Sequence, residues 1–321
     1  MINDQSGAVA VMTVLTMVMF LGFSALSLDI GHLLMAQNQL QRAADAASLA
    51  GARGLWPDVL PVVNSSPGPD CATGNSRANY VATHLSNRVD GAVLSADEVT
   101  VQVGYYNSST KTFTPGCSAN TNAVKVTCRR TVRNILFAQR FGIHSADLSA
   151  TAIALMGFAS GIGQGALPIA INKIFVTPGQ VLFINFTPDP LDTGGWFADP
   201  PQSANARTFR DYVENGSCPP LRVGDIINLQ NGQDTSVLQA LQQKLTEHGG
   251  TWDTFLPVVD TDRFNQSEPI VAFVPFRITE VIDTGGRKGI TGTVLGLAIF
   301  SGAEPGGTDN LGLLSPPKAV Y

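Results

Sequence analysis

Residues 8–54 read AVAVMTVLTMVMFLGFSALSLDIGHLLMAQNQLQRAADAASLAGARG. No charged residue occurs from Gln5 through Leu28. At ~1.5 Å per residue, a helix over Ala8–Leu28 is roughly 30 Å long, the thickness of a bilayer's hydrocarbon core. No proline interrupts the pattern before Pro57. Gly22 and Gly31 lie inside it, and glycine is common in membrane helices. The stretch therefore predicts one continuous helix that spans a membrane and then projects into water.

The second half of that helix carries two stripes at helical spacing. Ile30, Leu33, Gln37, Leu40, Ala44, Ala47 and Gly51 form one, and Ala36, Leu40, Ala43, Ala47 and Ala50 form an alanine seam beside it. Arg42, Asp45 and Arg53 fall off the seam. Small residues at this density admit a close neighbour. That neighbour is either the chain's own globular part or helices of other subunits, which would make the seam an assembly helix.

The run beginning SGAVAV, followed by ALSLDIGHLLMAQNQLQRAADAASLAGA, resembles the amino-terminal region of the TadE/TadG-like proteins of Flp (tight adherence) pilus assembly. Arg42–Ala52 (RAADAASLAGA) and Asp29, the acidic residue leaving the apolar run, carry most of the likeness. It is closest over Gly7–Gly54 and extends more loosely to about Phe158. The resemblance implies a single-pass protein of the bacterial inner membrane with its soluble domains in the periplasm. Its partners would be the lipid bilayer and other pilus or secretion-system subunits, with an oligomer as one form of assembly. Many larger members carry a metal-binding von Willebrand-type domain. The chain has no DxSxS motif, so that metal site is not carried over.

The whole chain has 321 residues, a formal net charge of -5 and 14% charged residues. That length accommodates an anchor plus one or two soluble domains. A mildly acidic chain without a Lys/Arg cluster argues against nucleic acid as a partner. Residues 1–6 lack Lys and Arg, and a prepilin-type glutamate five residues after Gly7 is replaced by Met12. A retained anchor is expected rather than a cleaved leader.

Three regions follow. Residues 1–54 are the membrane-spanning helix with its extracytoplasmic extension. Residues 55–160 form an α+β domain packed on that helix, and residues 161–321 a mainly β carboxyl-terminal domain. The fold class is α+β. Within the first domain, Leu55–Asn75 is proline-rich and reads as a linker, and Ser76–Val89 as a helix. Val99–Tyr106, Ala123–Val132 and Ser145–Phe158 alternate as strands, with a short strand at Thr112–Thr114 and a short helix at Asn134–Phe141. Gly157–Gly165 (GFASGIGQG) reads as a flexible connector. Its glycines lack the βαβ context of a dinucleotide fingerprint, since Pro168 and a strand-like run follow. Beyond it, Asp234 is placed to cap a helix through Glu247, and Ile270–Ile282 and Ile290–Phe300 flank a hairpin turn at Gly285-Gly286. A small barrel or sandwich with inserted helices is expected.

Sites of chemistry are sparse. Cys71, Cys117, Cys128 and Cys218 form no CxxC pair, so a zinc ribbon is not expected. An even count fits one or two disulfides in an oxidising compartment, and Cys71 and Cys117 lie in turn-rich segments suited to a pair. Sequence alone leaves the connectivity open, with buried free thiols as the alternative. His32, His84, His144 and His248 have no ligand spacing, and no GxSxG, HExxH or P-loop occurs. Asp260, Asp262, Asn265 and Glu268 form an oxygen-rich loop without the glycine and spacing of a calcium loop. Trp196 between glycines and prolines reads as a core cap. No catalytic residue, cofactor or metal is expected. The functions that remain are a structural component acting by assembly, alternatively an adhesin-like binding module on a membrane anchor, and last an enzyme, against which the lack of a nucleophile–base or metal set in the sequence counts.

Overall fold

The computed structural model describes residues 6–56, 68–84, 88–133, 135–187, 193–285, 288–307 and 311–320. Most of the expected proline-rich linker lies outside them. Helix α1 (Ser6–Gly54) is continuous, as its uninterrupted helical pattern requires. Helix α2 (Cys71–His84) starts earlier than the sequence pattern indicates. The reason is Asp70: its carboxylate accepts from the Thr73 amide (2.9 Å) and hydroxyl (2.6 Å), capping the helix before the apolar face begins. A short hairpin, Arg88–Val89 with Ala92–Val93, stands where the helix was expected to end.

The next four strands are β1 (Val99–Asn107), β2 (Thr112–Pro115), β3 (Ala123–Arg133) and β4 (Ser145–Leu155). They are antiparallel and ordered β4-β3-β1-β2. Alternation puts Val124, Val126 and Cys128 of β3 and Ala150, Ala152 and Ala154 of β4 on the inner face. Cys128 pairs with Ala150 and Val126 with Ala152 across the ladder. The alanines of β4 leave a shallow surface on which the alanines of α1 lie, and both sets share one core with Ala78 and Ala82 of α2. The expected helix at Asn134–Phe141 is a single 3-10 turn over Ala138–Phe141.

Helices α1 and α2 meet where both are small. A Cβ built on Gly51 would sit 2.8 Å from both Ala78 Cβ and Val124 Cγ1, and one on Gly74 only 2.7 Å from Leu55 Cδ2. Glycine is needed there for close approach, because real Cβ atoms do not come so near.

The expectation of a flexible connector at Gly157–Gly165 is not met. Ala159–Ile162 is strand β5, with Ala159 and Ile162 buried. Then come β6 (Ile169–Asn172), β7 (Val181–Ile184), β8 (Gly194–Ala198), α3 (Ala206–Asn215), β9 (Leu221–Arg222) and β10 (Ile226–Gln230). Helix α4 (Thr235–Glu247) follows, capped by Asp234 as expected, whose Oδ1 accepts from the Ser236 amide at 3.0 Å. Last are β11 (Trp252–Val259), β12 (Ser267–Ile282), β13 (Gly289–Val294), β14 (Ala303–Pro305) and β15 (Lys318–Val320).

The larger sheet runs β10-β8-β6-β11-β12-β13-β7, and β10 also pairs with β12. That second pairing closes five strands into a small barrel, the outcome that leaves fewest open edges. β12 is long enough to pair β10 at one end and β13 at the other. β5 lies between β9 and β14 in a separate small sheet. Trp196 is buried in the barrel core, stacked on Phe186 at 3.8 Å, and its Nε1 donates to the Gly232 carbonyl at 2.7 Å.

The chain finally returns to its beginning. β15 adds to β4 as the fifth strand of the first sheet. Leu297 and Leu314 enter the core of the first layer, and Ser315 N donates to the Gly157 carbonyl at 2.9 Å.

Ala47 is fully buried at the helix crossing. Ala47→Leu is expected to destabilise the protein by ~1–3 kcal/mol through overpacking, and Gly51→Ala to act in the same direction. Arg42 is exposed, so Arg42→Gln should change stability by no more than about 0.5 kcal/mol. Urea unfolding of the full-length protein in detergent, followed by tryptophan fluorescence, measures all three. Equal midpoints for Ala47→Leu and wild type would show that the crossing tolerates bulk.

Candidate membrane-facing surface and assembly helix

The two halves of α1 face different surroundings. From Val9 to Leu28 the large apolar side chains stand exposed, Met12 at 73% and Phe20 at 68%. The segment is long and apolar enough to cross a membrane. Its polar side chains do not spoil that property. The hydroxyls of Thr13, Thr16, Ser24 and Ser27 each donate to the carbonyl four residues back, at 2.7–2.8 Å. A hydroxyl satisfied within its own helix needs no water.

Asp29 marks the change, one residue past the uncharged run. It is only 4% exposed. Its Oδ1 accepts from the Leu136 amide at 2.8 Å, and its Oδ2 from the amides of Phe137 (2.8 Å) and Ala138 (2.9 Å). Desolvation pushes this carboxyl's pKa up; the three amides and nearby His32 pull it further down, and the net value lies below the ordinary 3.8. A carboxylate thus sits in a cradle of amides that would otherwise lack partners. One turn on, His32 Nε2 lies 2.7 Å from Asp90 Oδ1, and the Asp90 amide donates to Gln39 Oε1 at 2.9 Å. These contacts hold the hairpin at Arg88–Val93 against the helix.

The alanine seam lies higher. Ala36, Leu40, Ala43 and Ala47 are buried in the chain's own fold, and Ala50 is half-buried. Of the two neighbours weighed for this seam, the one seated on it here is the chain's own sheet and α2. Gln37, beside the seam, donates to the Ser149 carbonyl of β4 at 2.9 Å. The outward side of the same helix carries Ile30, Leu34, Met35, Asn38, Arg42 and Ala46.

Residues 7–54 match the family model described as putative Flp pilus-assembly TadE/G-like. Residues 34–154 match the one described as putative Tad-like Flp pilus-assembly. The amino-terminal region is Tad-like. Its matched span begins in the apolar helix and ends inside β4, so it coincides with the helix and the four strands built on it. No curated protein and no solved structure matches the chain.

The Tad-like region holds one disulfide, Cys71–Cys117, with its Cα atoms 6.1 Å apart. It ties the first turn of α2 to the turn after β2. Cys128 and Cys218 are buried and free. Burial, with Glu98 adding to it, pushes the Cys128 thiol up to about 11. Burial and Asp199 push Cys218 up to about 12. Neither is a nucleophile at neutral pH.

The remaining polar features do not converge. Among the described residues, no three His, Cys, Asp or Glu side chains are placed to hold a metal ion. In the oxygen-rich loop, Gln266 Nε2 donates to Glu268 Oε1 and, at 3.3 Å, to Thr261 Oγ1. The glycine-rich stretch Gly157–Gly165 runs through β5 and its exit. The cradle around Asp29 is what sequence reasoning missed. The only signal for it was an acidic residue at the end of an apolar run, which names no partner.

Maleimide labelling tests the cysteine assignment. The native protein should take up no label, the denatured unreduced protein two, and the denatured reduced protein four. Four labels without reductant would remove the disulfide. Both free thiols are raised in the folded state, so the unfolded chain loses these protons first. Stability is therefore expected to hold up to the ordinary thiol value of 9.0 and to fall as pH rises towards about 11 for Cys128 and about 12 for Cys218.

Proposed function

We propose that the protein is a membrane-anchored structural component of a Flp pilus or a related secretion apparatus, and that it acts by assembly rather than catalysis. The observation that carries this reading is the continuity of α1. One helix exposes an apolar surface of membrane length and then becomes the central element of a Tad-like fold. A soluble domain built directly on its anchor cannot reorient freely, which suits a subunit that must present surfaces at a fixed height above the bilayer.

The single-pass anchor lies in the bacterial inner membrane and the soluble part in the periplasm. The Cys71–Cys117 disulfide supports this side, because such bonds persist in oxidising compartments. The alanine seam serves assembly by holding the domain on the helix, while the outward side of α1 and the barrel meet other subunits.

Capture of the full-length protein from detergent-solubilised membranes, anchor intact, should recover other pilus or secretion subunits. Clean recovery of none, together with specific glycan or matrix binding by the intact protein, would favour the adhesin-like alternative. An impermeant maleimide applied to intact spheroplasts should label a Ser108→Cys variant. Protection of that site until lysis would place the domain in the cytoplasm.

A further inference from the structure

The loop from Ile135 to His144 presents large apolar groups to its surroundings. Leu136 is 69% exposed, Phe141 71% and Ile143 54%. Phe137 is half-buried, its ring meeting Phe141 edge-on at 5.1 Å. In water such a patch has no compensation within the fold.

Its position accounts for it. A Cβ built on Gly22 would lie 3.7 Å from Phe137 Cζ. Gly22 precedes Asp29 by two helical turns, ~10 Å along the axis. The loop therefore does not stop at the level of Asp29. It reaches down beside the apolar segment itself.

Its backbone is prepared for such a place. The amides of Leu136, Phe137 and Ala138 donate to Asp29. Those of Arg140, Gly142 and Ile143 donate to the carbonyls of Phe137, Gln139 and Ala138, at 3.0–3.1 Å. Irregular backbone is costly near lipid because its donors go unsatisfied, and here these six are satisfied inside the protein. Arg133, Arg140 and His144 are exposed around the apolar groups. Long basic side chains extend to headgroups while apolar neighbours sit deeper.

We infer that this loop is a second membrane contact, inserting Leu136, Phe137, Phe141 and Ile143 into the interface of the leaflet from which α1 emerges. The inference rests on the reading that α1 spans the bilayer. The loop and the helix then form two points of attachment joined through Asp29, which fixes the rotation of the domain on the membrane.

The test uses the full chain in phosphatidylethanolamine–phosphatidylglycerol vesicles. Its native cysteines are paired or buried, so a single introduced cysteine can carry a nitrobenzoxadiazole probe. Phe141→Cys and Ile143→Cys report on the loop, Val14→Cys on the span and Ser108→Cys on a water-exposed turn. Both loop probes should emit to the blue of the Ser108 probe, lose its iodide quenching and be quenched by headgroup-proximal nitroxide lipids. Loop probes that quench with iodide as the Ser108 probe does, while the Val14 probe is quenched by lipid, would overturn the inference and leave the anchor intact. A Val14 probe open to iodide would overturn the anchor reading itself.

Discussion

The contact on which the rest depends is the crossing of α1 over α2 at Gly51 and Gly74. There is no room for a side chain at either position. The helices approach closely enough for Ala43, Ala47, Ala78 and Ala82 to share a core with Val124, Val126 and the alanines of β4. Each alanine contributes little area, so the stability of this core comes from dense contact rather than bulk. The same density makes it intolerant of added atoms. Because α1 is also the apolar segment, whatever fixes α1 to the sheet fixes the whole soluble part to that segment.

A single helix thus carries two kinds of surface. Below Asp29 it hides its hydroxyls in its own backbone and turns its large apolar side chains outward. Above Asp29 it turns small side chains inward and leaves Asn38 and Arg42 outside. Asp29 itself lies neither on the exposed apolar surface nor free in water. A carboxylate at such a boundary needs partners, and the amides of Leu136–Ala138 need acceptors. The two requirements meet in one place, and the loop between β3 and β4 is held against the helix as a result.

The carboxyl-terminal region is a barrel with its own core, yet it is not independent of the Tad-like region. Trp56 at the end of α1 meets Phe158 edge-on at 5.3 Å. Leu314 and β15 return across the junction, and the last strand pairs with β4. The second half of α1 and the last strand thus meet on the same sheet. β15 covers the edge of β4 only over Ile153–Leu155.

The sequence by itself determined the long helix, its apolar half, the strands β1–β4 of the first sheet and the capped helix α4. Each of these is written in local periodicity or in a single capping residue, which need no distant partner. It also supplied the likeness to Flp pilus-assembly proteins and the better disulfide pair. It did not determine the start of α2, because Asp70 lies among prolines and a glycine that signal a loop. Nor did it determine that Ala159–Ile162 is a strand, since glycines in an isolated stretch read as freedom until neighbouring strands confine them. Which neighbour covers the alanine seam, what receives the charge of Asp29, how β10 closes the barrel on β12 and where the last strand goes were decided only in the tertiary structure. Each joins residues far apart in the chain, and an amide, a carboxylate or a sheet edge states its need for a partner without naming it.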